Sequence, residues 1–166
     1  MGWETAGVLT GPRRLVALVV GATVLVVVGV VAFLLLPPRQ SDDVAVPAGD
    51  ATPEQVVTAY LAAVVAHDCD TAEAVTTRDA EDGAESWCDD VGRLTDVDVR
   101  DHVTERPEDS GHSAPTEIVD VPVSFDVHWR LFHDDGSMED GATTWGYLLV
   151  RESPHSRWRI FDQGTG

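Results

Sequence analysis

Three spacings of apolar residues succeed one another along the chain. From Leu15 to Leu36 the sequence LVALVVGATVLVVVGVVAFLLL runs without a charge. As a helix rising ~1.5 Å per residue it would reach about 33 Å, against ~30 Å for a hydrocarbon core. A transmembrane helix at 15–36 is the first expectation. The run exceeds the apolar stretch of a cleaved signal peptide, and no A-x-A site follows it. Arg13 and Arg14 precede it, and Arg39, Asp42 and Asp43 follow. The positive-inside rule then leaves residues 1–14 in the cytoplasm and the remainder outside, a single-pass arrangement in the cell membrane.

Pro37, Pro38, Pro47 and Gly49 mark residues 37–51 as an extended linker. The second spacing is helical. Thr52 is a good N-cap, Pro53 suits the first helical position and Gln55 completes a capping box. Val57, Tyr60, Leu61, Val64 and Val65 then recur as one apolar stripe. A short helix is predicted from Asp70 or Thr71, and another over Ala80 to Val91 that buries Trp87. Beyond Arg93 the period falls to two. Val97, Val99 and Val103 alternate with polar residues. From Ile118 to Phe132 the residues Val119, Val121, Val123, Phe125, Val127, Trp129 and Leu131 share one face. Pro122 within that run predicts an edge position or a bulge. Thr143 to Arg151 reads as the returning strand, and Arg157 to Asp162 as the last, with Trp158 and Ile160 inward.

Helices followed by antiparallel strands predict an α+β fold: about three helices on a curved antiparallel sheet, at 52–166, behind the transmembrane helix. The fragments TPEQVVTAYLAAVVAHD, EIVDVPVSFDVHWRLF, TTWGYLLVRE and WRIFDQGTG, in that order, resemble the nuclear transport factor 2-like superfamily. The resemblance implies a cone-shaped domain related in fold to ketosteroid isomerases, and it implies a fold without a reaction. Similar domains behind one membrane helix in high-GC actinobacteria extend the expectation to an extracytoplasmic envelope protein.

Charge narrows the partners. Beyond Arg39 there are 28 Asp and Glu against 8 Arg, a net −20. Such a surface repels nucleic acid and anionic lipid headgroups. Lys and Asn are absent altogether. Both have A/T-rich codons, so the composition suits a high-GC bacterial genome.

Few residues promise chemistry. Cys69 and Cys88 most simply form a disulfide in an exported domain. Their spacing lacks the close pairing of zinc ligands. Asp126 and His128 could form an acid–base pair, but alternation turns both away from the apolar face. Tyr60, Asp101 and Tyr147 fall in phase with apolar neighbours and form the candidate pocket. A Tyr beside a buried carboxylic acid is how ketosteroid isomerases polarise a carbonyl. His67, Asp68 and Asp70 read as helix caps. Asp134, Asp135, Glu139 and Asp140 cluster at a turn without EF-hand order. No catalytic residue, cofactor or metal site is expected. The leading expectation is a non-enzymatic scaffold, anchored through 15–36 and acting with a protein partner in the envelope. The alternative is small-molecule binding, or isomerase-like chemistry, in the domain interior.

Overall fold

The computed structural model describes residues 12–36, 39–113, 116–131, 133 and 138–164. It divides into two units, Met1–Pro37 and Pro38–Gly166, each taken here by itself. Helix α1, Pro12–Leu35, forms the first. Within it Thr23 Oγ1 donates back to the Val19 carbonyl at 2.9 Å. Side chains of α1 are described only from Val16 to Ala32, and all of these are exposed. Among the described residues no helix is long and apolar enough to cross a membrane. The expected transmembrane helix at 15–36 is corrected on this finding. With it fall the membrane as a partner, the single-pass localisation and the fold class insofar as it began with a span. Residues 1–11 of the expected cytoplasmic segment lie outside the described residues, as do Pro37, Pro38, Asp134 and Asp135.

The second unit is α+β. Helix α2, Pro53–Ala66, opens on a complete capping box: Thr52 N–H donates to Gln55 Oε1 at 2.9 Å, and Gln55 N–H donates to Thr52 Oγ1 at 3.3 Å. Two orphan donors of the first turn are thereby satisfied. Val56, Val57, Tyr60, Leu61, Ala63 and Val64 are buried. Val65, which the spacing placed on the stripe, is 41% exposed. His67 ends α2 in the left-handed region, at φ 54°, and Asp68 caps α3, Cys69–Ala74. After a 3-10 turn at Arg78–Ala80 comes α4, Glu81–Asp90, with Trp87 and Cys88 inward.

Residues 39–51 form no helix or strand, but they are tied down. Ser41 N–H donates to the Ala66 carbonyl at 2.8 Å. Val44 N–H donates to Asp68 Oδ2 at 2.8 Å, and its carbonyl accepts from Thr71 Oγ1 at 3.0 Å.

Among the described residues five antiparallel strands form the sheet: β1 Val91–Val99, β2 Val103–Glu105, β3 Glu117–Trp129, β4 Gly141–Arg151 and β5 Arg159–Gly164. The order is β1–β3–β4–β5, with β2 pairing to β3 beyond the end of β1. Val119, Val121, Val123, Phe125 and Val127 of β3 are buried in one core with α2 and α4. Strand β3 is therefore central, whereas Pro122 predicted an edge or a bulge. Its position resolves the conflict. Val99 pairs with Val123 and Val103 with Asp120, so Pro122 faces the break between β1 and β2. The Pro122 carbonyl accepts from Arg100 N–H at 3.0 Å. A strand residue's N–H and C=O point the same way, so the donor that proline lacks would have served that break.

Strand β1 departs further from its simple alternation. Its pairing with β3 shifts between Thr95 and Asp98, and Asp96 sits at φ 53°. Asp tolerates this left-handed conformation because its short side chain can bond locally. The bulge breaks the phase. Leu94 is buried, while Val97 and Val103, expected inward, are 44% and 54% exposed.

Candidate functional site

A half-open cavity of about 600 Å³ lies in the second unit, among α2, the start of α4 and strands β4 and β5. Tyr60 from α2, Ala84 and Trp87 from α4, Trp145 from β4, and Ile160 and Gln163 from β5 form its inner wall. Trp87 organises the aromatic part. Its ring meets Trp145 at 5.5 Å between centroids, Trp129 at 5.5 Å and Phe125 edge-on at 6.1 Å. These offset and edge contacts suit the ring quadrupoles and fix the wall in place.

The presence of Gln163 on that wall depends on a bulge. Leu149 pairs with Ile160 but Leu148 pairs with Asp162, leaving Phe161 as an extra residue in β5. Simple alternation from Trp158 and Ile160 would carry Asp162 inward. The extra residue instead sets Gln163 opposite Tyr147, whose side chain is fully buried. No local signal in WRIFDQG announces this.

Tyr60 Oη, Trp145 Nε1 and Gln163 Oε1 are all withdrawn from solvent and have no hydrogen-bond partner among the described residues. Native proteins rarely leave buried polar atoms so, because each forfeits hydrogen bonds to water worth about 1–3 kcal/mol. Burial raises the pKa of the Tyr60 phenol, with the nearby Gln163 amide pulling weakly the other way without reaching hydrogen-bond geometry. The Tyr147 phenol is raised too, first by burial and then by its neighbour Tyr60. Both therefore stay protonated through the physiological range. At the rim Asp79 and Asp162 are exposed, and among the described residues no Arg or His lines the cavity.

Tyr60 and Tyr147, expected in a pocket, do meet: their rings stand edge to face with centroids 5.6 Å apart. Tyr60 lines the cavity, whereas Tyr147 packs behind its wall. Asp101 is not with them. It lies exposed in the connection from β1 to β2, beyond the bulge that broke the phase on which its inward position rested. Asp126 and His128 lie on the face of β3 opposite the buried valines, where His128 Nδ1 is 3.5 Å from Asp140 Oδ2. Trp145 and Gln163 were not singled out from the sequence, since nothing local marks an unpartnered polar atom.

Cys69 and Cys88 form a disulfide, with Cα atoms 5.6 Å apart, joining α3 to α4. His67 Nδ1, 2.7 Å from the Cys88 carbonyl, ties the end of α2 to the same point. Helix α4 is thus held against α2 and α3 while it supplies Trp87 to the cavity. Among the described residues no cluster of three or more His, Cys, Asp or Glu is placed to hold a metal ion.

Comparison with known proteins adds little. No family model matches the chain, and no curated protein matches it. A solved structure that does match is the solution structure of RPA3114, a SEC-C motif containing protein from Rhodopseudomonas palustris. It is 13% identical, with 72% of this chain and 82% of that one covered, at a TM-score of 0.45. A likeness of that degree carries no argument about function. The expected membership of the nuclear transport factor 2-like superfamily is withdrawn. It rested on element order and short fragments, and no family model matches the chain.

Proposed function

We propose that the second unit is a binding module for a small, largely apolar molecule that carries one or two hydrogen-bonding groups. The carrying observation is a half-open cavity of about 600 Å³ walled by Trp87, Trp145, Tyr60 and Ile160, with Gln163, Thr76 and Ser86 as polar residues of its lining. Small-molecule sites combine an apolar, aromatic wall with a few polar groups that fix orientation. Asp79 and Asp162 at the rim favour an uncharged or weakly basic ligand over an anion.

A scaffold that docks a protein has less support. Trp87, Trp145 and Trp158 are buried and Trp129 is half-buried, so none offers the exposed aromatic anchor on which protein interfaces commonly turn. Binding, not catalysis, is the reading, because among the described residues the inner wall carries no carboxylate or imidazole to move a proton.

Titration of the ¹⁵N-labelled protein with 2-naphthol, a neutral ring compound with one hydroxyl, tests this. The Trp145 indole N–H should shift saturably, and Ala84→Phe, which fills the cavity, should abolish the shift. Absence of saturation, or a shift that survives Ala84→Phe, would refute the reading.

A further inference from the structure

A second cavity, of about 510 Å³, is lined by the β4–β5 connection and shares no lining residue with the first. Its character is opposite. Arg151, Arg157 and Arg159 line it together with His112 and the hydroxyl residues Thr77 and Ser156; among the described residues Glu152 is its one acid. Three of the eight Arg beyond Arg39 thus gather within nine residues of sequence and around one space.

How these guanidiniums are engaged decides what the space can hold. Arg151 is neutralised: its Nε donates to Glu117 Oε2 at 2.8 Å, and its guanidinium lies 4.4 Å from the centre of the Trp158 ring. It forms a fixed wall. Arg159 is held without losing its charge, since Nη1 donates to the carbonyls of Thr76 at 2.9 Å and Ala74 at 3.3 Å. Arg157 is exposed, and among the described residues neither it nor Arg159 has a carboxylate within ion-pair distance. His112 is oriented as well, with Nδ1 2.9 Å from the Ser110 carbonyl and its ring 4.9 Å from that of Phe161. Its Nδ1 is thereby committed as a donor to the backbone, which leaves Nε2 for another partner.

We infer that this cavity binds an oxyanion group, a phosphate or carboxylate carried on a small molecule, with Arg157 and Arg159 as its counter-charges. Arg presents a planar fork of donors that matches both groups, and such charge-assisted bonds are the strong ones. Thr77 and Ser156 add neutral hydroxyl donors. The space exceeds the volume of a bare anion, so the group belongs to a larger ligand. Net repulsion from the acidic unit acts at long range and is screened beyond about 8 Å at physiological salt, leaving the local guanidiniums to select the anion.

The test is an NMR titration of the full chain with inorganic phosphate and, separately, with acetate, at constant ionic strength. The amides of Thr77, Arg157 and Arg159 should shift saturably with at least one of the two, and the more effective anion identifies the group. Arg157→Gln should weaken that binding about tenfold or more, as expected for one lost charge-assisted contact. Arg100→Gln, at an exposed residue already 3.5 Å from Asp98, should leave it unchanged and serves as the control. Shifts that do not saturate with either anion, or that respond equally to both substitutions, would reduce the effect to general screening and overturn the proposal. Success or failure here is independent of the 2-naphthol result.

Discussion

The rings of Tyr60 and Tyr147 meet edge to face at 5.6 Å in the middle of the core, and neither hydroxyl has a hydrogen-bond partner among the described residues. The rings belong to the packing; the hydroxyls are a cost to it. Tyr147→Phe should leave stability unchanged or raise it by up to ~1 kcal/mol, because the oxygen removed is desolvated and unpaired. Tyr147→Ala should cost about 3–5 kcal/mol through the cavity it opens. Thermal unfolding distinguishes the two, and a marked loss in Tyr147→Phe would mean that the hydroxyl is satisfied after all.

Asp68 ties residues 39–51 to the helices. Its carboxylate accepts from Val44 N–H at 2.8 Å and from Thr71 N–H at 3.3 Å. The bond from Val44, with those from Thr71, holds its pKa below the ordinary carboxylate value against the opposing effect of burial. Removing it in Asp68→Ala should cost about 1–3 kcal/mol, as for a charged hydrogen bond and a helix cap. Amide exchange at Val44 should quicken far more than at Val121 in the centre of β3. Equal acceleration at both would show that the contact is not local.

Glu54, in the first turn of α2, accepts from both the ring Nδ1 and the backbone N–H of His102, at 2.5 and 3.1 Å. Burial works to raise its pKa, but the His102 and Thr52 side chains and the backbone outweigh it and take the carboxyl from 4.5 to about 2. A depressed carboxylate stabilises the fold fully above its unfolded value and loses that contribution as pH falls through its folded value. The urea midpoints of the wild type and Glu54→Gln should therefore differ most at neutral pH, with the wild type higher. They should converge as pH falls from about 4.5 to about 2. A gap that is constant across that window would remove the ionised Glu54 from the account.

The disulfide closes a loop of 19 residues between α3 and α4. Replacing both cysteines with alanine should destabilise the second unit by about 3 kcal/mol, read from denaturant unfolding. Because α4 carries Trp87, the same variant should bind 2-naphthol more weakly at temperatures where it remains folded. Retained affinity in a folded variant would show that the bridge acts on the unfolded chain alone.

Local chemistry was legible in the sequence. The Thr52–Gln55 capping box, the cap at Asp68, the alternating face of β3 and the Cys69–Cys88 pairing each follow from residues that are close in sequence or few in number. The order of helices and strands was legible for the same reason. Phase was harder. A bulge at Asp96 turned Val97 outward and removed the argument for Asp101, and a bulge at Phe161 turned Gln163 inward. One extra residue reverses every side chain beyond it, and strand partners decide where that residue fits.

The N-terminal run shows another limit. Its apolar composition is plain in the sequence, yet among the described residues it provides no helix that meets the length and hydropathy of a membrane span. Both cavities belong wholly to the tertiary structure. The first needs Tyr60, Trp145 and Gln163 from three elements spread over a hundred residues, and its unpartnered atoms become unusual only once burial removes water from them. The second needs Thr77 and His112 beside the Arg151–Arg159 segment. Sequence determined which side chains could pack or pair; the sheet register and helix docking decided which polar groups were left without a partner.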